Sequence, residues 1–427
     1  MADIVIDGTI GANRLLILDS TGKIPAVDGS QITAIAAGNI ATGTIPIARI
    51  DTGTTANKIV KLDGNAKLPA LDGSLITNVS GATKSASDPT VSTNPSGGVG
   101  SEWHNTTSGE VYICTDATAG VNVWTNIGAG SGDVQPYSFG GTQYGYATAG
   151  IANPSTPAVA QNIIDKWAFA SDANATDVGD LTSVKGYCGG ISSPTHGYSF
   201  GGNVNIIDKW SFSSGGNATD VGDTSTTKDG PVGTYTTGWG YSLGNYPVSP
   251  SGNKIEKIDF ASDGNSVDQG DLTVARSYGA GGSSETHGYL AGGQSTSGGS
   301  MNVIDKHAFA NSNNATDVGD LPSTNDRNTG SSSTTYGYSH GGVPVVTAVE
   351  KWSFASDSNA VATSNTLTLA RYSPAGSSST SHGYAAGGRN NGSNVNTIDK
   401  YAFATDVAGV DVGDLTQTRR GPGGHEY

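Results

Sequence analysis

Apolar and polar positions alternate with period two in short runs along most of the chain, and Gly, Asn, Asp or Ser bounds each run. This is the pattern of strands joined by tight turns, not of helices. From residue 133 the runs recur as six copies of one unit. A Gly-Tyr pair marks each copy, at Tyr146, Tyr198, Tyr241, Tyr289, Tyr338 and Tyr384, and a Gly pair follows in most, as at Gly201 and Gly202. Next comes a strand of the type IDKWAF, starting at Ile164, Ile207, Ile255, Ile304, Val349 and Ile398. NATDVGDL or a relative follows, and copy five diverges most because it lacks Val-Gly-Asp. A Gly-rich strand with a frequent Arg ends the unit, as in ARSYGAGG at 275–282. A period of roughly 40–50 residues with four short strands per copy predicts an all-β, six-bladed β-propeller over 133–427.

Within the third strand, alternation puts Asp165, Trp167 and Phe169 on one face and Ile164, Lys166 and Ala168 on the other. The acid recurs at Asp208, Glu256, Asp305, Glu350 and Asp399, and the lysine at Lys209, Lys257, Lys306, Lys351 and Lys400. A charge present in every copy serves the blades rather than one catalytic centre. Pairing between blades is expected, and as surface pairs these would contribute only about 0–1 kcal/mol each. Closure of the ring stays open. The Gly-rich stretches 137–141 (YSFGG) and 420–424 (RGPGG) make seven candidates for six positions. One is an extra edge strand, a linker or the overlap that closes the ring.

The first 80 residues carry two copies of a shorter unit, ANRLLILDSTGKIPAVDGSQIT from Ala12 and ANKIVKLDGNAKLPALDGSLIT from Ala56. Each is too short and Gly-rich to bury a core alone. Its apolar row, including Ile24, Ile32, Ile45, Ile50, Leu68 and Ile76, needs neighbours or identical partner chains to cover it. Oligomerisation and attachment are therefore expected of 1–80. Residues 81–100 read as a Gly/Ser/Pro linker, 101–127 as a small strand–turn–strand module, and 128–132 as a second linker.

Composition narrows the function. Gly at 63 residues and only 14% charged residues fit strands and turns. The net charge of −15 argues against nucleic-acid binding, which depends on Lys and Arg. Cys114 and Cys188 lie in different regions and support neither a disulfide framework nor a four-cysteine zinc site. The first residues lack the basic region and apolar core of a signal peptide, and no apolar run reaches the roughly 18 residues of a membrane span. Synthesis in a cytoplasm, without membrane insertion, is the expectation.

The phrases LPALDGSLITNV and ATGTIPIARID resemble the N-terminal parts of bacteriophage tail fibres of the marine and cyanobacterial phage type. The segment around Trp103, Tyr112 and Trp124 resembles a small module of such fibres. The longer repeat, with its Gly pair after the second strand, resembles the kelch repeat, although Asp-Val-Gly stands where the kelch formula has a fourth-strand Trp. The resemblance implies elongated N-terminal β repeats and a hairpin module ahead of a kelch-like propeller. It further implies a non-enzymatic virion protein, made in the host cytoplasm. Residues 1–80 would bind other tail proteins, a homotrimer would be the assembly, and the propeller would meet a host-surface glycan or protein. A capsid or head appendage is the alternative placement, and a sugar-modifying propeller enzyme the alternative class.

Candidate binding residues come from comparing the copies. Length varies most between the Gly pair and the third strand, so diversity gathers on one rim, where loops on a rigid scaffold bind. The long versions, 151–163, 246–254, 294–303 and 389–397, are polar and suit sugar hydroxyls. Tyr246, Gln294, Arg389 and Asn390 are the candidates. No cofactor is expected, and three constellations are read as structural. His196, His287 and His382 sit at equivalent turns of different copies. Asp172, Asn174 and Asp177 have calcium-type oxygens without the EF-hand spacing. Cys188 beside Tyr187 lacks the converging ligands of a copper oxidase.

Overall fold

The computed structural model describes Ser20 and residues 81–127, 141–152, 159–246, 252–295 and 297–427. Apart from Ser20, the repeats of 1–80 and their expected attachment and oligomerisation roles lie outside the described residues, as does the linker 128–132. The described residues are strand, turn and loop throughout, with no helix among them.

Residues 81–127 form a sheet of Thr83–Ser85, Glu102–Asn105, Val111–Asp116 and Val123–Asn126 in that order, the first pair parallel and the rest antiparallel. Tyr112, Cys114 and Trp124 are its buried centre, and Trp103 packs edge-on to Trp124 at 5.9 Å. The stretch 81–100, expected as linker, supplies the first strand and one wall. Trp103 Nε1 donates to Ser87 O at 2.9 Å, Asn105 Nδ2 to Asp88 Oδ1 at 2.7 Å and Asn122 Nδ2 to Asn94 Oδ1 at 2.7 Å. Side-chain hydrogen bonds hold it rather than apolar burial, which is why its composition reads as linker.

Six four-stranded sheets follow. Five are continuous in sequence, at 188–228, 232–271, 280–325, 329–366 and 375–414, and are termed blades 2 to 6. Blade 1 is composite. Its innermost strand is Gly423–Glu426, and Tyr144–Thr148, Val159–Ala168 and Thr176–Lys185 follow outward. The overlap therefore closes the ring, and 420–424 belongs to it. The stretch 137–140 lies outside the described residues, while Gly141 bridges Ser379.

The innermost strands neighbour one another in a cycle, blade 1 to blade 6 and back. Gly190, Gly233, Gly281, Gly330, Gly376 and Gly424 occupy one level of it. A Cβ added at any of the six would come closer than 3.0 Å to the carbonyl of the equivalent glycine next door. Glycine at this level is thus a condition of ring size, not of turn formation.

Two rings per blade lock neighbours together. The repeated tyrosine of each second strand faces the third-strand phenylalanine of the next blade. The pairs are Tyr146–Phe212, Tyr198–Phe260, Tyr241–Phe309, Tyr289–Phe354, Tyr338–Phe403 and Tyr384–Phe169, with centroids 4.7 to 5.0 Å apart. In five of the six copies the residue before the tyrosine is glycine because a third-strand side chain lies over it, and before Tyr241 the side chain over Gly240 is Ile191. A Cβ on Gly145, Gly197 or Gly337 would strike Trp167, Trp210 or Trp352.

Five of the six repeated acids pair between blades, as expected, but the pairs are fully buried, so the energy of a surface pair does not apply to them. Asp165 pairs with Arg419, Asp208 with Lys185, Glu256 with Lys228, Asp305 with Arg276 and Asp399 with Arg371, at 2.6 to 3.0 Å and with side chains at most 1% exposed. Each base comes from the end of the preceding blade's fourth strand or from the connection that follows it. The repeated lysines reach outward instead: Lys209, Lys306, Lys351 and Lys400 meet Asp263, Asp357, Asp406 and Asp172 of the next blade. The Asn of NATD accepts a main-chain N–H from the neighbouring fourth strand, as Asn217 does from Asp180 and Asn174 from Asp414, each at 3.1 Å. The glycine of Asp-Val-Gly permits that approach; a Cβ on Gly179 would strike Gly216.

Candidate functional site at one mouth of the axial channel

The chain enters each innermost strand through one residue in the left-handed region. Tyr187, Gly230, Tyr278, Arg327, Ser373 and Gly421 have φ between 52° and 65°. Their peptide groups form a closed hydrogen-bond ring around the axis. Tyr187 N donates to Gly421 O, Gly421 N to Ser373 O, Ser373 N to Arg327 O, Arg327 N to Tyr278 O, Tyr278 N to Gly230 O and Gly230 N to Tyr187 O, at 2.7 to 3.0 Å. Only glycine enters this region freely, and for other residues it costs about 1–2 kcal/mol each. Four of the six positions nevertheless carry side chains, and residues held in this way cluster at ligand clamps.

Those side chains form the rim. Tyr187 and Tyr278 meet edge to face at 5.4 Å, and the Arg327 guanidinium lies 5.4 Å from the Tyr278 ring centroid. Arg420 Nε donates to the Tyr187 hydroxyl at 2.7 Å. The Tyr278 hydroxyl donates to Asp229 Oδ2 at 2.8 Å, and Arg327 Nη1 contacts Asp326 Oδ1 at 3.3 Å. Burial raises the Asp229 carboxyl above its ordinary value, against the pull of the Tyr278 hydrogen bond and Arg327. Burial, then the Asp229 charge, raises the Tyr278 phenol, so the hydroxyl stays a donor at neutral pH. The tyrosine rings lie over the two ring glycines: a Cβ on Gly230 would strike Tyr278, and one on Gly421 would strike Tyr187.

Below the rim lies a cavity of about 120 Å³. Its walls are largely main chain at Gly189, Gly190, Gly233, Gly281, Gly330 and Gly376. Its floor is a girdle of side-chain oxygens. Glu426 N donates to Ser192 Oγ, Tyr235 N to Ser283 Oγ, Ser283 N to Ser332 Oγ and Ser332 N to Ser378 Oγ, at 2.8 to 3.1 Å. The Tyr235 hydroxyl reaches past blade 2 to the Glu426 carboxyl. A ligand on the axis therefore enters past Tyr187, Tyr278 and Arg327.

The candidate residues drawn from the sequence lie on this same face, one step outside the ring. Tyr246 is exposed, bridges Asp229 through its main chain and lies 6.0 Å from Tyr278. Gln294 Nε2 donates to Asp326 Oδ2 at 3.2 Å, and Gln294 pairs with Ser277. Arg389 bridges Tyr372 and donates to Gly392 O, while Asn390 Nδ2 donates to Ala370 O at 2.6 Å. Sequence reasoning missed Tyr187, Tyr278, Arg327, Arg420, Asp229 and Asp326. One signal pointed to Tyr187, Tyr278 and Arg327: the residue three before the ring glycine of the Gly-rich strand changes from copy to copy, while that glycine does not.

The three constellations read as structural have local partners. His196, His287 and His382 each bond the hydroxyl of the preceding Thr195, Thr286 or Ser381 at 2.8 Å. Asp172 pairs with Lys400, Asn174 accepts from Asp414 N, and Asp177 accepts from Gly179 N. Cys188 Sγ is buried against Thr148 O at 3.5 Å. No protein-family model matches the chain, and no curated protein matches it.

Proposed function

We propose that the chain is a non-enzymatic virion protein, a tail fibre or similar appendage. In this reading residues 1–80 attach it to other virion proteins, and the propeller binds a host-surface glycan. The observation that carries the binding half is the rim. Aromatic faces, guanidinium groups and carboxylates stand around a cavity with main-chain walls, on backbone held in a costly conformation. Tyrosine offers a rigid apolar face with a polar tip, which matches the alternating C–H and hydroxyl surfaces of a sugar. Arg420, Arg327, Asp229 and Asp326 supply donors and acceptors beside those faces. Each hydrogen bond nets only about 0.5–1.5 kcal/mol, so single-site affinity is weak and several copies per particle supply avidity. The virion half rests on the tail-fibre resemblance of residues 1–130.

Binding of the full chain to immobilised capsular and lipopolysaccharide O-chain preparations tests the glycan reading. Retention on at least one preparation, lost on combining Tyr278→Ala with Arg327→Ala in a folded variant, supports it. No retention on any, or retention the double substitution leaves unchanged, overturns it. Antibody labelling of intact particles tests the virion half and separates tail from head.

A further inference from the structure

The buried ion pair between blades is complete at five of six interfaces and broken at one. In the five, the acid of the third strand receives three groups from the preceding blade. A Lys or Arg pairs with it, and a Thr or Ser three residues earlier donates its N–H and hydroxyl. Asp399 thus receives Arg371, Thr368 N at 2.8 Å and Thr368 Oγ1 at 2.6 Å, and Asp305 receives Arg276, Thr273 N and Thr273 Oγ1. Between blades 4 and 5 the acid is Glu350, the base position is Asn325 and the hydroxyl position is Pro322. Proline has neither N–H nor hydroxyl, so all three donors are gone together. Glu350 is only 6% exposed, and its Oε2 has no partner.

The cation seat is otherwise intact. At three of the five intact interfaces the base, Lys185, Arg276 or Arg371, also takes two main-chain carbonyls of the acid's own blade. Lys185 Nζ takes Ser199 O at 2.9 Å and Ile206 O at 3.0 Å, and Arg371 takes Ala385 O and Thr397 O. The equivalents in blade 5 are the carbonyls of Ser339 and Ala348. Asn325 does not replace the missing charge. Its Nδ2 donates to Gly341 O at 2.9 Å, the carbonyl equivalent to the Gly244 O that Lys228 approaches, and its Oδ1 is left unpaired. Asn328, whose equivalents are Cys188, Pro231, Gly279, Pro374 and Pro422, bonds Ser339 Oγ and Ala291 O through Nδ2 and also leaves Oδ1 unpaired.

We propose that a monovalent hard cation, potassium or sodium, takes the place of the missing ammonium between blades 4 and 5. Its ligands are the Glu350 carboxylate and the carbonyls of Ser339 and Ala348, with the side-chain oxygens of Asn325 and Asn328 beside them. The lining decides between a cation and a proton. The orphaned atoms are acceptors, and a proton on Glu350 supplies one donor where several oxygens need positive charge. One formal negative charge and a space that elsewhere holds an ammonium group match a monovalent ion, and oxygen ligands match a hard one.

Thermal unfolding of the full chain in potassium, sodium and tetramethylammonium chloride at equal ionic strength tests this. The expected result is a midpoint several degrees higher in potassium or sodium, saturating with concentration. Glu350→Gln should remove the dependence, and Asn325→Lys should remove it while holding the high midpoint in all three salts. Equal midpoints in the three salts overturn the proposal, and so does a dependence that survives Glu350→Gln. Should Asn325→Lys fail to fold, the glutamine variant alone decides.

Discussion

The hydroxyl of Tyr235 in blade 3 donates past blade 2 to the carboxyl of Glu426 in the closing strand of blade 1. Glu426 is buried, and desolvation pushes its carboxyl up to about 8, against a pull from a Ser378 N–H hydrogen bond.

This relationship predicts weakening on the alkaline side. The folded protein holds a proton on Glu426 up to about pH 8, whereas the unfolded chain releases it near 4.5. Between those values the folded state binds more protons, so stability falls as pH rises, by about 1.4 kcal/mol per unit, and the contribution is gone above pH 8. Glu426→Gln keeps the shape and an acceptor for Tyr235. Denaturant unfolding between pH 5 and 9 should give a shallower decline for that variant than for the parent protein.

On the acid side the buried histidines act with the opposite sign. His307, His340 and His425 are held neutral by desolvation, each with its pKa lowered to about 3 from 6.5. The unfolded chain takes up these protons as pH falls below about 6.5, and the folded chain does not, so stability drops from there toward 3. Arg371 adds repulsion at His340, whose ring nitrogens both lack partners. Phe200 fills the equivalent place in blade 2. His340→Phe should therefore remove about 1.4 kcal/mol per pH unit from the acid slope. Its acid-unfolding midpoint by tryptophan fluorescence should lie below that of the parent.

The two classes of lysine should respond differently to the same substitution. Lys185→Met leaves Asp208 buried without its partner and should cost about 3–5 kcal/mol. Lys400→Met releases Asp172, a group more than half exposed, and should cost about 0–1 kcal/mol. Urea unfolding of both variants checks the contrast; equal losses would contradict the assignment of the buried pairs to the blade interfaces.

The sequence made the propeller legible because its repeats are long and regular: the Gly-Tyr pair and the IDKWAF strand mark two of the four strands of every blade. Coverage was harder to read. Asp208 and Lys209 are adjacent and both charged, yet one is sealed against Lys185 and the other reaches the partly exposed Asp263. Period-two alternation assigns a face, not what lies against it. Closure was ambiguous because 137–141 and 420–424 share the same Gly-rich pattern, and pairing with Tyr144–Thr148 selects the second. The loop candidates Tyr246 and Arg389 came from length variation, while Tyr278 and Arg327 sit where length is constant. Their distinction is a positive φ, which no residue type other than glycine advertises.

Closure through the 423–426 strand makes the last residues structural. Removing residues 423–427 takes away the innermost strand of blade 1, the Glu426–Tyr235 bridge and the stacking of Tyr427 on Phe212. It also bares the sheet edge at Tyr144–Thr148. The truncated chain should lose its cooperative thermal transition and bind a hydrophobic dye at room temperature. A sharp transition within a few degrees of the parent would show that five blades and a partial sheet suffice.

The rim and the outer loops can be separated by substitution. Tyr246 and Arg389 project from loops with few buried contacts, so Tyr246→Ala and Arg389→Ala should leave unfolding within about 0.5 kcal/mol of the parent. Tyr278 and Arg327 sit on strained backbone, so Tyr278→Gly relieves φ strain while deleting the ring, and Arg327→Gly does the same for the guanidinium. Glycine is accepted there already, at Gly230 and Gly421. If a polar ligand enters the axial cavity, the glycine variants should lose at least tenfold in affinity while still unfolding in one cooperative transition, and the loop variants should lose less. Binding to the best-retained polysaccharide, measured by biolayer interferometry beside a denaturant series, checks both halves. Loop variants that lose more than the rim variants would move the contact outward to the long loops and leave the cavity as an architectural consequence of closing the ring.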